Sequence, residues 1–132
     1  MINDIINVMK RHDMRLNIVN CIYQHLLLNK ELSACFDDNF TEELLKDEFI
    51  ITIEEDLKIN EENYIKEISN HLRKWSFDRL NLIDQAILLL AISELKTGLN
   101  NRRIIINEAI EIAKEYCDDN SYRYINGVLD NL

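Results

Sequence analysis

The stretch NLIDQAILLLAISELKTG, residues 81–98, constrains the fold more than any other part of this chain. From Leu82 to Leu95 it is apolar nearly all round, and a helix without a wet face has to be surrounded by other elements. Gly98 supplies the residue type at which such a helix ends. The sequence therefore predicts a central helix with the remaining elements packed about it. Projected at about 100° per residue, Asn81, Asp84, Gln85, Ser93 and Lys96 form one polar strip, and Leu89 and Ile92 fall within it. Two readings of that apolar patch stay open: a contact surface for another molecule, or a face covered by a further helix of the same domain.

The flanking sequence supplies more helices. Apolar spacing predicts one over residues 13–28, preceded by INDIINVM as a further turn or an arm. In FTEELL, Thr41 stands before two acids favoured by the helix dipole, which predicts a second helix running toward Asp56. EFIITIEE is ambiguous between helix and strand. Asn60, followed by Glu61 and Glu62, predicts the cap of a third helix. Asn107 is expected to begin the next one, with Ala109, Ile110, Ala113 and Cys117 on its packed side, and Ser121 to cap the last. In that last helix Tyr122, Ile125, Val128, Leu129 and Leu132 share one arc, Arg123 and Gly127 face away, and Tyr124 lies on the rim. Gly127 costs about 1 kcal/mol against Ala inside a helix, so the expectation is that a backbone or a ligand approaches it closely.

With 132 residues, 47% of them hydrophobic, only 2 Gly and no Pro, these elements make one all-α domain. No apolar run reaches the roughly 18 residues that span a bilayer, and the N-terminal stretch lacks the basic-then-apolar order of a signal peptide. The expectation is a cytoplasmic protein with no membrane contact. Cys21, Cys35 and Cys117 are odd in number and scattered, as reduced thiols are. Cys21 and His25 sit one helical turn apart, but no second ligand pair follows, so neither a metal site nor a cofactor is expected. Residues 37–62 carry 11 acids against Lys46 and Lys58, a local charge equal to the whole net charge of −9. The remainder of the chain is therefore neutral, and the net charge does not exclude a nucleic-acid surface elsewhere.

The last 27 residues, INEAIEIAKEYCDDNSYRYINGVLDNL, carry a more specific signal. They resemble the C-terminal signature of the NusB family of antitermination proteins, in which I-N-E-A-[IV]-E-[LI]-A-K leads through a polar turn into F-V-N-G-[VI]-L-D. The likeness extends upstream through WSFDRLNLIDQAILLLAISEL, so that it covers residues 75–130. The resemblance implies an all-helical fold of two small lobes packed into one domain, about 1–73 and 74–132. It also implies a non-enzymatic transcription antitermination factor. Such a factor binds boxA-type RNA together with the small-subunit ribosomal protein NusE and supports ribosomal RNA transcription by the elongation complex. No Gly-rich phosphate loop, metal-ligand cluster or nucleophile triad speaks for catalysis.

The same resemblance assigns candidate residues. Aligning on Tyr23 brings KRHDMRLNIVNCIY onto the family's Arg-rich RNA-binding run, so that Arg11 and Arg15 fall on basic positions with Lys10 just outside. His12 and Asp13 stand where Arg is common, and each missing cation removes a phosphate contact. Arg123 and Tyr124 match the basic-aromatic pair that neutralises a phosphate and stacks a base. Arg102 and Arg103, expected in the loop before the signature helix, join that field; Asn101 replaces the family's usual Pro beside them. Asp84 takes the acidic position expected to meet the basic ribosomal protein. Leu89, where the family often has Arg, implies an apolar partner contact or a homodimer interface. Two rivals remain: an RNA-binding module of the kind that precedes some ribosomal RNA cytosine methyltransferases, against which the end at Leu132 speaks, and a helical interaction protein that has lost RNA.

Overall fold

Asp84 to Glu94 form an unbroken buried run, the middle of a helix spanning Leu82–Thr97. In the computed structural model, which describes residues 10–74, 76–118 and 120–132, every long element is helical. The helices are α1 (Arg11–Leu28), α2 (Leu32–Asn39), α3 (Glu48–Ser69), α4 (Leu82–Thr97), α5 (Arg102–Tyr116) and α6 (Ser121–Asp130), with short 3-10 turns at Leu44–Lys46 and Phe77–Arg79. The expected arm at residues 2–9 lies outside the described residues. Helix α4 touches α1, α3, α5 and α6, which is how an element apolar all round is accommodated. The hydrophobic core is continuous across the lobe boundary expected near residue 73, because α1 and α3 pack directly on α4.

That arrangement decides between the two readings of the polar strip. Leu89 and Ile92 are 0% exposed, so other helices of the same domain cover them. Leu89 has no surface to offer a partner, which corrects its assignment as a partner-binding residue and removes the basis it gave for a homodimer. Two of the strip's buried polar side chains find partners inside the fold. Ser93 Oγ donates to Asp56 Oδ2 at 2.6 Å, and Gln85 Nε2 donates to the Leu80 carbonyl at 2.8 Å.

Along α3, two local cap signals were overridden. Asp47, not Thr41, caps α3, its Oδ1 accepting from the Phe49 and Ile50 amides at 2.9 and 3.2 Å. Thr41 instead accepts from the Leu44 amide at the 3-10 turn. Asn60 lies inside α3 and donates back to Asp56. The reason is the stripe Phe49, Ile50, Ile53, Leu57, Tyr64 and Ile68, which runs through Asn60 at helical spacing and is buried along its length. Packing of that stripe outweighs one residue's capping preference. The same stripe makes EFIITIEE helical. Helix α2, with Leu32, Cys35 and Phe36 buried, is too short to show a periodic pattern and was not anticipated.

At the other end, Gly98 terminates α4 at φ 67°, as its sequence position predicts. Helix α5 begins at Arg102 rather than at Asn107, because Asn101 Oδ1 accepts from the Ile104 amide at 2.9 Å. Arg102 and Arg103 thus occupy the first turn of a helix, not a loop. Ser121 is the first residue of α6, and its hydroxyl turns to Asp84 instead of capping. A Cβ added at Gly127 would meet no atom within 4 Å, so the expected close approach by another part of the chain is absent among the described residues.

Candidate nucleic-acid interface

The basic run on α1 divides by helical phase. Arg15 shares a face with Ile18, Val19 and Ile22, and that face is turned into the protein. Its side chain is 3% exposed, and Nε and Nη2 donate to the two Glu94 oxygens at 2.9 and 2.8 Å. Glu108 Oε2 lies 3.8 Å from Nη1. Arg15 is therefore a clamp joining α1 to α4 and α5, which corrects its assignment to RNA. His12 Nδ1 lies 2.8 Å from the same Glu108, and that hydrogen bond raises the imidazole pKa against a smaller opposing effect of burial. Arg11 stays on the surface, its guanidinium 4.2 Å from the Phe49 ring centroid, and Lys10 is exposed at the head of α1. Of this run, Lys10 and Arg11 lie at the surface, Arg11 with its Nη1 3.9 Å from Asp47 Oδ1.

Around α6 the assigned residues separate again. Arg102 donates from Nη1 to the Leu132 carbonyl and from Nη2 to the Leu129 carbonyl, both at 2.6 Å. It closes the C-terminal end of α6, where carbonyls lack intrahelical partners, and this corrects its assignment to RNA. Arg103 is exposed on α5. Arg123 is exposed beside Tyr122, its guanidinium carbon 5.9 Å from that ring's centroid. Asp84, expected to face a partner, is 1% exposed. Its Oδ2 accepts from Ser121 Oγ at 3.1 Å and from the Tyr124 hydroxyl, so the acid serves the interior, which corrects its partner-binding assignment. Burial, followed by the Asp84 carboxylate, pushes the phenol of Tyr124 and the thiol of Cys117 up, and both stay protonated at neutral pH.

Tyr124 itself is half-buried and lines an open groove of about 350 Å³ between residues 71–74 and α6. Arg73 and Lys74 form one wall, both exposed, and Gly127 and Asn131 belong to the other. Gly127 leaves this wall bare where a side chain would narrow it. A pair of cations facing an aromatic across an open floor neutralises a phosphate and stacks an unpaired base. Sequence reasoning missed Arg73 and Lys74. The signal was the adjacent pair RK upstream of WSFDRL, which the helical pattern of the preceding segment had absorbed. A second hollow, of about 340 Å³, is lined by Leu16, Val19, Tyr23, Ile83, Ile112 and Tyr116 where α1, α4 and α5 meet. Its mostly apolar lining is suited to a protein side chain rather than to a phosphate.

Comparison with known proteins bears on this geometry. The profile of the NusB family matches residues 12–132. The transcription antitermination protein NusB of Staphylococcus carnosus is 36% identical over 127 residues, which cover 94% of this chain and 99% of that protein. The solved structure of T. maritima NusB is similar with a TM-score of 0.83 at 31% identity, over 93% of this chain and 89% of that one. A structure of the antitermination factors NusB and NusE in complex with double-stranded RNA shares the fold, with a TM-score of 0.78 at 22% identity over 93% of this chain and 96% of its own.

Proposed function

The chain belongs to the NusB family, and from that premise we propose that it is a non-catalytic antitermination factor, binding boxA-type RNA together with the ribosomal protein NusE. In this reading it joins the transcription elongation complex in the cytoplasm and supports ribosomal RNA transcription. The observation that carries the RNA part is the groove in which Arg73 and Lys74 face Tyr124 beside the bare Gly127. Exposed Lys10, Arg11, Arg103 and Arg123 add charge from other parts of the surface. The apolar hollow around Tyr23, Ile83 and Tyr116 is the better candidate for the protein partner than Asp84 or Leu89, both of which are buried.

One observation favours the rival without RNA: Arg15 is sealed against Glu94 and exposed Arg102 is tied to carbonyls at the end of α6, which leaves fewer unengaged cations on a chain of net charge −9. A basic partner subunit would offset that deficit by completing the positive surface. Titration of a boxA-type RNA at fixed salt, with and without the ribosomal protein, separates the two. The antitermination reading expects weak binding alone and a marked gain with the partner; no binding in either case supports the interaction protein.

A further inference from the structure

Asp84 is the third residue of α4, and Ser121 and Tyr124 are the first and fourth of α6. Both hydroxyls donate to one oxygen, Oδ2, while Oδ1 is buried without a hydrogen-bond partner among the described residues. Two hydroxyls on Oδ2, the Cys117 thiol and the first turn of α4 thus surround the carboxyl group. A purely structural junction between α4 and α6 would be cheaper with an apolar pair, because a buried acid with an orphan oxygen carries a desolvation cost. What this acid does that an apolar residue could not is grip the far end of the Tyr124 ring. The ring is then held at both ends, by its own backbone and by its hydroxyl. Tyr124 lines the groove together with Arg73 and Lys74.

We propose that Asp84 is a positioning residue for RNA binding: its buried carboxylate latches the Tyr124 hydroxyl and so presents the half-buried ring, already ordered, to an unpaired base entering the groove. This rests on the RNA reading given above. A ring fixed before binding loses less rotational freedom when a base stacks on it, and the saving appears as affinity. Asp84 touches no RNA; it acts through Tyr124.

The test uses the full chain with a boxA-type single-stranded RNA and the variants Tyr124→Ala, Tyr124→Phe, Asp84→Asn and the Phe/Asn double. Loss of the stacking platform in Tyr124→Ala should lower affinity about 5- to 150-fold. Loss of the latch in Tyr124→Phe, or its weakening to a neutral amide acceptor in Asp84→Asn, should lower it about 2- to 10-fold. The double variant should bind no worse than Tyr124→Phe, and the slope of affinity against salt should stay at the parental value, since no phosphate contact is lost. Parental affinity in Tyr124→Phe alongside a weak Tyr124→Ala would show that the ring works unlatched, and would overturn the proposal. So would an Asp84→Asn loss of equal size in the Tyr and Phe backgrounds, because Asp84 would then act through the fold. Parental affinity in Tyr124→Ala would sink the RNA reading of the groove itself, and the proposal with it. Should Asp84→Asn melt too low to use, Tyr124→Phe decides alone, since it leaves the Ser121 bond to Asp84 in place.

Discussion

Two acids on α4 meet the rest of the molecule in opposite ways. Glu94, near the C-terminal end, is sealed: both oxygens are taken by the Arg15 guanidinium in a pair that solvent barely reaches. Asp84, near the N-terminal end, is half-satisfied, and the hydroxyl it holds belongs to a ring that faces an open groove. The first contact is complete within the fold and can only stabilise it. The second has one end in the core and the other at a surface where a ligand can profit from it. Burial of a charged or polar residue does not by itself separate stability from function; what its partner touches does.

Breaking the sealed end should give the largest effect. Arg15→Ala leaves Glu94 as a buried charge without its counterion, at a cost of about 3 to 5 kcal/mol in chemical denaturation. Arg15→Met, which fills the space but keeps the orphaned acid, should be nearly as damaging, and pairing it with Glu94→Leu should recover much of the loss. A parent-like melt for Arg15→Ala would show that the pair contributes nothing. Arg102→Ala releases the Leu129 and Leu132 carbonyls at the end of α6 and should cost about 1 to 2 kcal/mol. Amide exchange should quicken first in α6, the element that carries the open groove, and uniform acceleration across all helices would contradict this local role.

The next test sharpens the open end. Gly127→Ala should stabilise the chain by up to about 1 kcal/mol, because the added Cβ meets nothing within 4 Å and helix propensity improves. If the bare wall of the groove serves RNA, affinity should fall even as the melting temperature rises; a gain in both would assign the glycine no binding role. The smallest effect belongs to His12. Its folded pKa is raised above the unfolded value, chiefly by the hydrogen bond to Glu108, so the stability it adds is fully present below the unfolded pKa and is lost as pH rises through the folded one. The side chain is 39% exposed, and solvent screens much of the interaction. Between slightly acid and slightly alkaline pH the parent should therefore lose slightly more stability than His12→Gln. Equal slopes for the two proteins would place the pH dependence elsewhere, for instance at His25, whose pKa is raised in the same sense by Glu61.

Read by itself, the sequence determined the elements whose signals are long or chemically unambiguous. The all-round apolar run had to become a central helix, Gly98 had to end it in the left-handed conformation, and the α5–turn–α6 string carried a resemblance that the comparisons bear out. Tyr124 on the rim of α6 was also legible, because its phase relative to Ile125, Val128 and Leu129 follows from helical geometry alone. Only the tertiary structure decided which way the polar residues face. Phase places Asp84, Leu89 and Ser93 on one strip, but whether that strip meets water depends on neighbours more than 30 residues away in sequence, Asp56 and Ser121 among them. Arg15 and Arg102 read as free cations because each one's partners are likewise distant along the chain, 79 residues away in Glu94 for the one and 27 and 30 residues away in Leu129 and Leu132 for the other. A helix's own residues set its pattern; the free energy of burying a polar group is set by what the rest of the chain brings to it.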